Sequence, residues 1–215
     1  MRLPLALLLL LSAPALTAET PKCPPPPTHI SFEAADFSSQ PGVTFRLRHF
    51  TATLVPRAST APFCYQKMTV VSRAEIFVDN ASLTTVFTAK LGESGSKIKD
   101  FKVQNGDGTV RLSGKITKII PIDFIVEGPI STDGTSILLS ATKIKADGIP
   151  IKALLDIVGQ HLGSVLSMGD VGGVVVKDNT ISFNPEQIAH LKGRLLTATA
   201  APSGLTLRYG RAPRR

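Results

Sequence analysis

A chain of 215 residues has room for one domain of ordinary size or two very small ones, so a single core is expected. Hydrophobic residues make up 43% of the chain and charged residues 19%, which excludes a chain that is disordered throughout. The formal net charge of +8 favours anionic partners, whereas the absence of tryptophan leaves few aromatic platforms for stacking RNA bases.

Residues 1–18 have the pattern of a secretory signal peptide. Arg2 precedes an apolar run over residues 3–11, and small residues lead up to Ala18. The run is about half of the roughly 18 apolar residues that a membrane-spanning helix needs. We therefore predict cleavage after Ala18 and a periplasmic or other extracytoplasmic location. Nucleic acid is not expected as a partner there, and contact with a membrane surface should be peripheral.

The rest of the chain is predicted to form one domain between a linker and a tail. Residues 19–28 are a proline-rich linker, since four consecutive prolines hold an extended strut. A single α+β domain is expected over residues 29–210, followed by a basic tail at residues 211–215. The two cysteines, Cys23 and Cys64, would meet an oxidising compartment, which favours a disulfide between them.

From about residue 30 to 78 the chain shows short β-like runs. Apolar side chains alternate over residues 43–47 and then continue on the opposite parity from Phe50. This change of parity predicts a bulge or bend near His49. The Asp79-Asn80 pair that follows predicts a turn.

The clearest strand signal lies in the middle of the chain. Apolar residues occupy even positions from Val110 to Val126, and polar residues lie between them, which is typical of half-buried strands. Pro121 indicates an edge, bend or break in this stretch. Residues 105–108 and 132–134 contain glycines in turn patterns, so consecutive antiparallel strands are predicted.

One helix is predicted over residues 150–166. Seven apolar residues recur there at helical spacing within an arc of about 120°, and Pro150 suits a first helical turn. A hairpin around Asp178-Asn179 follows. Asn184 then predicts the cap of a short helix that reaches about Lys192, and a last hairpin closes the chain.

Catalytic motifs are not apparent in this sequence. The four histidines are scattered singly, with none at the spacing of a zinc site. Residues 92–96 begin like a nucleophile elbow, but Ser96 stands where the motif requires glycine. We therefore expect a protein that is not an enzyme and that needs no cofactor or metal.

Several segments in the second half resemble a known family. They are I-V-E-G at residues 125–128, A-D-G-I-P at 146–150, V-V-V-K-D-N-T-I-S-F at 174–183 and L-K-G-R-L-L-T-A-T-A-A-P-S-G-L-T-L-R-Y-G at 191–210. With the alternating strand before them, they resemble the LmeA-like family of exported bacterial phospholipid-binding proteins, itself similar to the tubular lipid-binding superfamily. The resemblance covers about half of the chain, and the amino-terminal half departs from it.

The resemblance implies a curved antiparallel β-sheet wrapped around one long amphipathic helix, with a hydrophobic groove for lipid tails. The expected lipid-binding residues lie on the helix and on the facing strand: Ile151, Leu154, Leu155, Val158, Leu162, Ile120, Ile122 and Phe124. Together with the basic charge, this predicts non-catalytic binding, and transport, of an anionic phospholipid in the bacterial cell envelope. The alternative is a structural or adaptor protein of the envelope with a closed core and a basic interaction tail.

Overall fold

The computed structural model describes residues 28–56, 67–93, 98–117, 121–146, 149–150 and 172–211. In chain order its elements are β1 (Thr28–Gln40), β2 (Val43–Pro56), β3 (Lys67–Asp79), α1 (Asn80–Glu93), β4 (Ile98–Asn105), β5 (Thr109–Thr117), β6 (Pro121–Thr132), β7 (Ile137–Ser140), β8 (Lys143–Ala146), β9 (Ile149–Pro150), β10 (Val174–Lys177), β11 (Thr180–Phe183), α2 (Pro185–Ala189), β12 (Leu191–Gly193), β13 (Leu195–Ala201) and β14 (Gly204–Tyr209). The fold is mostly antiparallel β-sheet, curled into a half-barrel, with few helices.

The first sheet joins the two ends of the described chain. Its strands lie in the order β1-β2-β3-β14-β13. One edge of β3 pairs with β2 along its length, and the other edge is divided between two partners. Residues 69–71 of β3 pair in parallel with β12, and residues 74–79 pair antiparallel with β14. The amino-terminal and carboxyl-terminal segments therefore share one sheet and one core.

The bulge predicted near His49 is confirmed. His49 has a φ of 47°, and the register between β2 and β3 shifts between Arg48 and Thr51. The buried positions change from odd to even numbers across this point, from Leu47 to Phe50. The register returns to its earlier value at Ala52, and the buried positions of β3 also change parity there, between Val71 and Ala74, so both halves of each strand face the same core.

The second sheet follows the order β10-β11-β7-β6-β5-β4. One edge of β6 pairs with β5, and the other is divided, with residues 124–127 against β8 and residues 130–132 against β7. The predicted alternation is confirmed, because the even positions of β5 and β6 supply the buried side chains Val110, Leu112, Ile116, Phe124 and Val126. Pro121 begins β6, in agreement with the predicted break.

The predicted turn at Asp79-Asn80 is wrong, because helix α1 begins at Asn80. The Asp79 carboxylate accepts a hydrogen bond from the Ser82 amide at 2.7 Å, so this residue caps the helix. The Ser82 hydroxyl accepts from the Thr44 amide at 3.0 Å, and the Thr84 hydroxyl accepts from the Val103 amide at 2.9 Å. These bonds fix α1 between β2 and β4.

The start of the short helix α2 is confirmed and its predicted end is wrong. The Asn184 side chain accepts a hydrogen bond from the Glu186 amide at 2.9 Å, as a helix cap does. The helix ends at Ala189 and not at Lys192, because His190 adopts a left-handed conformation with a φ of 55°. Beyond it the chain continues as β12.

Most of the predicted long helix lies outside the described residues. The described part of that stretch corrects its first residue, since Pro150 belongs to β9 and pairs with Lys145 of β8. The signal peptide, nearly all of the linker, Cys23, Cys64 and residues 212–215 also lie outside the described part. Thr28, assigned to the linker, already begins β1.

Candidate functional site

An apolar cavity of about 90 Å³ lies between the two sheets. The first sheet contributes residues such as Ile76, Val78 and Leu207 to its wall, and the second contributes Val110 and Leu112. Among the described residues, only apolar atoms face the space. Such a cavity has no polar partners for ordered water, so it suits an apolar occupant.

Helix α1 closes one side of this cavity. Leu83, Val86 and Phe87 line the space, and Leu91 is buried one turn further along. The spacing of three, one and four residues places these side chains on one face of a helix. The polar residues between them include Thr84, which is tied to β4 by its hydroxyl.

A second apolar cavity of about 30 Å³ lies beside the first. Phe87, Leu112 and Phe183 line both cavities, so these three side chains form the partition between them. The rings of Phe87 and Phe183 meet edge to face, with centroids 5.0 Å apart. The Phe87 ring also packs edge to face against the Phe101 ring, with the two centroids 6.1 Å apart.

A chain of amides borders the larger cavity. The Asn80 Nδ2 group donates to the Pro202 carbonyl oxygen at 2.9 Å, which orients the Asn80 side chain. Its Oδ1 atom accepts from the Asn105 side-chain amide at 2.7 Å and from the Asn105 backbone amide at 3.2 Å. Asn105 Oδ1 is left without a partner in the described part of the chain. The network ties α1 to β4 and to the β13–β14 turn.

An open groove of about 1090 Å³ lies on the other side of α2 and β12. Lys192, Arg194 and Arg211 bring three cationic side chains to its walls, against the carboxylates of Asp133 and Glu186. Lys192 Nζ lies 3.5 Å from Glu186 Oε1, so this pair is largely neutralised. Within the described ranges, Arg194 and Arg211 are exposed and form no ion pair.

The Asp133 carboxylate is held by its own turn. It accepts hydrogen bonds from the Ser136 amide at 2.7 Å and from the Thr135 amide and hydroxyl, each at 2.8 Å. The Ser136 bond, followed by the Thr135 bonds, keeps the pKa of Asp133 below its usual value. This acid is therefore ionised at neutral pH, and the groove carries one more positive than negative charge.

Leu191 borders both the apolar cavity and the cationic groove. The neighbouring residues follow the same division, because Pro185 faces the cavity and Glu186 faces the groove. The segment of α2 and β12 is thus the wall between an apolar space and a charged one. An amphipathic molecule with one anionic end matches this arrangement.

Of the eight predicted lipid-binding residues, two lie within the described ranges. Phe124 is buried and lines the smaller cavity. Ile122 is half-buried in β6 and is not among the described residues that line either cavity. Six predicted residues lie outside the described ranges: Ile120, Ile151, Leu154, Leu155, Val158 and Leu162.

The contribution of the amino-terminal half to this site was not predicted from the sequence. Phe45, Ile76 and Val78 of the first sheet line the cavity together with the face of α1. The helical spacing from Leu83 to Leu91 is a signal that could have found α1. The β-branched residues Thr84, Thr85 and Val86 obscured it, because they favour strands.

Across the described ranges, no three His, Cys, Asp or Glu side chains are grouped as a metal site requires. No helix there is both long and apolar enough to cross a membrane.

The Tyr209 phenol is buried without a hydrogen-bond partner in this part of the chain, and burial raises its pKa.

Comparison with protein-family models, with curated proteins and with solved structures finds no match to this chain. The resemblance to the LmeA-like family therefore stays a prediction.

Proposed function

We propose that this protein binds an anionic phospholipid, without catalysis, in the bacterial cell envelope. The acyl chain would occupy the apolar space between the sheets, and the head group would lie in the cationic groove. The observation that carries the proposal is the shared wall at Leu191, where an apolar cavity and a charged groove meet. A phospholipid has the same two chemistries joined at one point.

Burial of the acyl chain would supply most of the affinity. Each methylene removed from water contributes about 0.8 kcal/mol. The larger cavity, at about 90 Å³, is smaller than the roughly 150 Å³ of an engineered cavity that admits benzene. Binding therefore requires the walls to move apart around the chain, as cavities do when a ligand selects a minor open state.

The head group would be recognised by charge. Arg194 and Arg211 line the groove and form no ion pair within the described ranges. The N–H groups of each guanidinium can donate two parallel hydrogen bonds to the oxygen atoms of a phosphate. Each arginine near a phosphate contributes about 1 kcal/mol, and salt weakens this attraction. The predicted signal peptide and the basic charge support a role at the surface of an envelope membrane, in carrying lipid between layers.

The alternative function is a structural or adaptor protein of the cell envelope. The small volume of the cavities favours it, because ligand sites commonly enclose about 300 to 1,000 Å³. In that case the apolar faces are ordinary core, and the basic groove and tail bind a protein or a polymer. The two functions differ in whether lipid accompanies the purified protein.

Native mass spectrometry tests the proposal. Protein purified from its own cell envelope should carry phospholipid, identified by organic extraction. In titrations with defined lipids, an anionic phospholipid should bind more tightly than a zwitterionic one. Replacing both Arg194 and Arg211 with glutamine should weaken anionic binding by about fivefold for each charge and should weaken zwitterionic binding less, because the zwitterionic head group has no net charge.

The matched control is Arg111→Gln, which removes one charge from an exposed position of β5 that does not line the groove. It should leave both affinities at the wild-type value. Purified protein without phospholipid that also fails to bind added lipid would contradict the proposal and favour the adaptor function.

A further inference from the structure

We propose that Phe87 sets the length of the acyl chain that this protein accepts, by dividing the apolar interior into two compartments. The inference rests on the proposed function, since it assumes that the occupant is an acyl chain. It adds a residue that determines specificity. The larger compartment is the 90 Å³ cavity next to Leu191, and the smaller one is the 30 Å³ cavity beyond the Phe87 ring.

The position of the two compartments supports a linear occupant. Leu191 borders the larger compartment and the cationic groove, whereas the smaller compartment is lined by residues of the second sheet that border neither, such as Phe124 and Ile181. A head group in the groove would therefore place the chain first in the larger compartment and then against Phe87. Only apolar atoms of the described residues face either space, so neither offers a polar partner to another class of ligand.

Phe87 is the one member of the partition that does not lie on a β-strand. Leu112 and Phe183 lie on strands that are paired on both sides, and both side chains are buried. Phe87 extends from α1, is only partly buried, and packs against the other rings by edge contacts. Its side chain can be truncated without breaking the pairing of a sheet, and its removal joins the two spaces.

This arrangement predicts a limit on chain length. While a longer chain fills the larger compartment, each added methylene should raise the affinity about fourfold, which corresponds to about 0.8 kcal/mol. Once the chain reaches the Phe87 ring, further methylenes find no apolar space and the affinity should level off. Without the ring, the chain continues into the smaller compartment, and the affinity levels off at a longer chain.

The experiment measures the affinity of a series of lysophosphatidylglycerols that differ only in acyl-chain length. Wild-type protein is compared with Phe87→Ala and with the milder Phe87→Leu, which keeps an apolar side chain should the alanine variant fail to fold. We expect the levelling-off to move to longer chains in both variants, further in Phe87→Ala than in Phe87→Leu.

Phe32→Ala is the matched control. Phe32 is also partly buried against the core, and its ring stacks on Phe50 with a centroid distance of 5.0 Å, yet it lines neither compartment. This variant should keep the wild-type limit. A limit that stays in place in every folded Phe87 variant, or one that moves equally in Phe32→Ala, would overturn the role of Phe87. Wild-type protein that binds no member of the series would instead overturn the proposed function.

Discussion

Replacing Gly128 with alanine is expected to destabilise the protein severely. Gly128 lies on β6 at the point where its edge passes from β8 to β7. A Cβ atom at this position would overlap the Ser140 carbonyl oxygen and lie 2.8 Å from its carbon atom. Both are backbone atoms, so relief requires the strands to move apart, which also strains the bond from the Thr142 amide to the Glu127 carbonyl.

We expect Gly128→Ala to lower the free energy of unfolding by about 3 kcal/mol, at the upper end of the usual effect of overpacking. The measurement is the denaturant midpoint followed by circular dichroism. Gly92→Ala is the control, because Gly92 lies in α1, where an added Cβ atom would meet no atom of the described residues within 4 Å apart from its chain neighbours and the adjacent helix backbone. That change should leave the free energy of unfolding unchanged or raise it by up to about 1 kcal/mol. A Gly128→Ala variant as stable as Gly92→Ala would contradict the close packing of β6 against Ser140.

The second large effect is expected for Leu139→Ala. Leu139 is fully buried in β7, where its backbone pairs with Ile181 of β11 on one side and Ile130 of β6 on the other. It is not among the described residues that line either cavity, so its side chain is in fully packed core. Truncation should lower the free energy of unfolding by about 2–5 kcal/mol through lost transfer energy and a new void.

Leu138→Ala supplies the comparison for this effect. Leu138 is the preceding residue of the same strand, points to the other face of the sheet and is only half-buried. Its truncation should reduce stability clearly less than that of Leu139, as measured by thermal and denaturant unfolding. Equal losses for the two variants would mean that the face assigned to the core is wrong.

Local signals account for the parts of the fold that were predicted correctly. The alternation from Val110 to Val126 has the period of a strand, and the glycines around residue 107 permit the turn that joins β4 to β5. The cap at Asn184 and the change of parity at His49 are likewise indicated by a few neighbouring residues. Each of these features depends on the backbone geometry of a short segment.

The parts that could not be predicted depend on tertiary context. Helix α1 contains Thr84, Thr85 and Val86, which favour strands, and its stability comes from packing and from hydrogen bonds to β2 and β4. The end of α2 was not predicted because His190 adopts a left-handed conformation, and a histidine at this position does not by itself indicate one.

The candidate site could be predicted only in part, because its walls come from distant parts of the chain. Val78 and Leu205 are paired between β3 and β14 although more than one hundred residues separate them. Alternation identified Phe124 as an inward-facing residue, yet no local pattern tells which strands will face each other across a cavity. Strand order and register decide that, and they are set by the whole core.

Photo-crosslinking tests the central claim most directly, because it locates the acyl chain itself. An anionic phospholipid with a diazirine near the end of one acyl chain is bound to the folded protein and irradiated, and the labelled peptides are mapped by mass spectrometry. We predict labels on α1 and on the inner faces of both sheets, at cavity-lining residues such as Val86, Leu112 and Leu207, and their loss when unlabelled lipid competes. Labels confined to exposed apolar residues such as Phe37 and Val175 would contradict binding between the sheets.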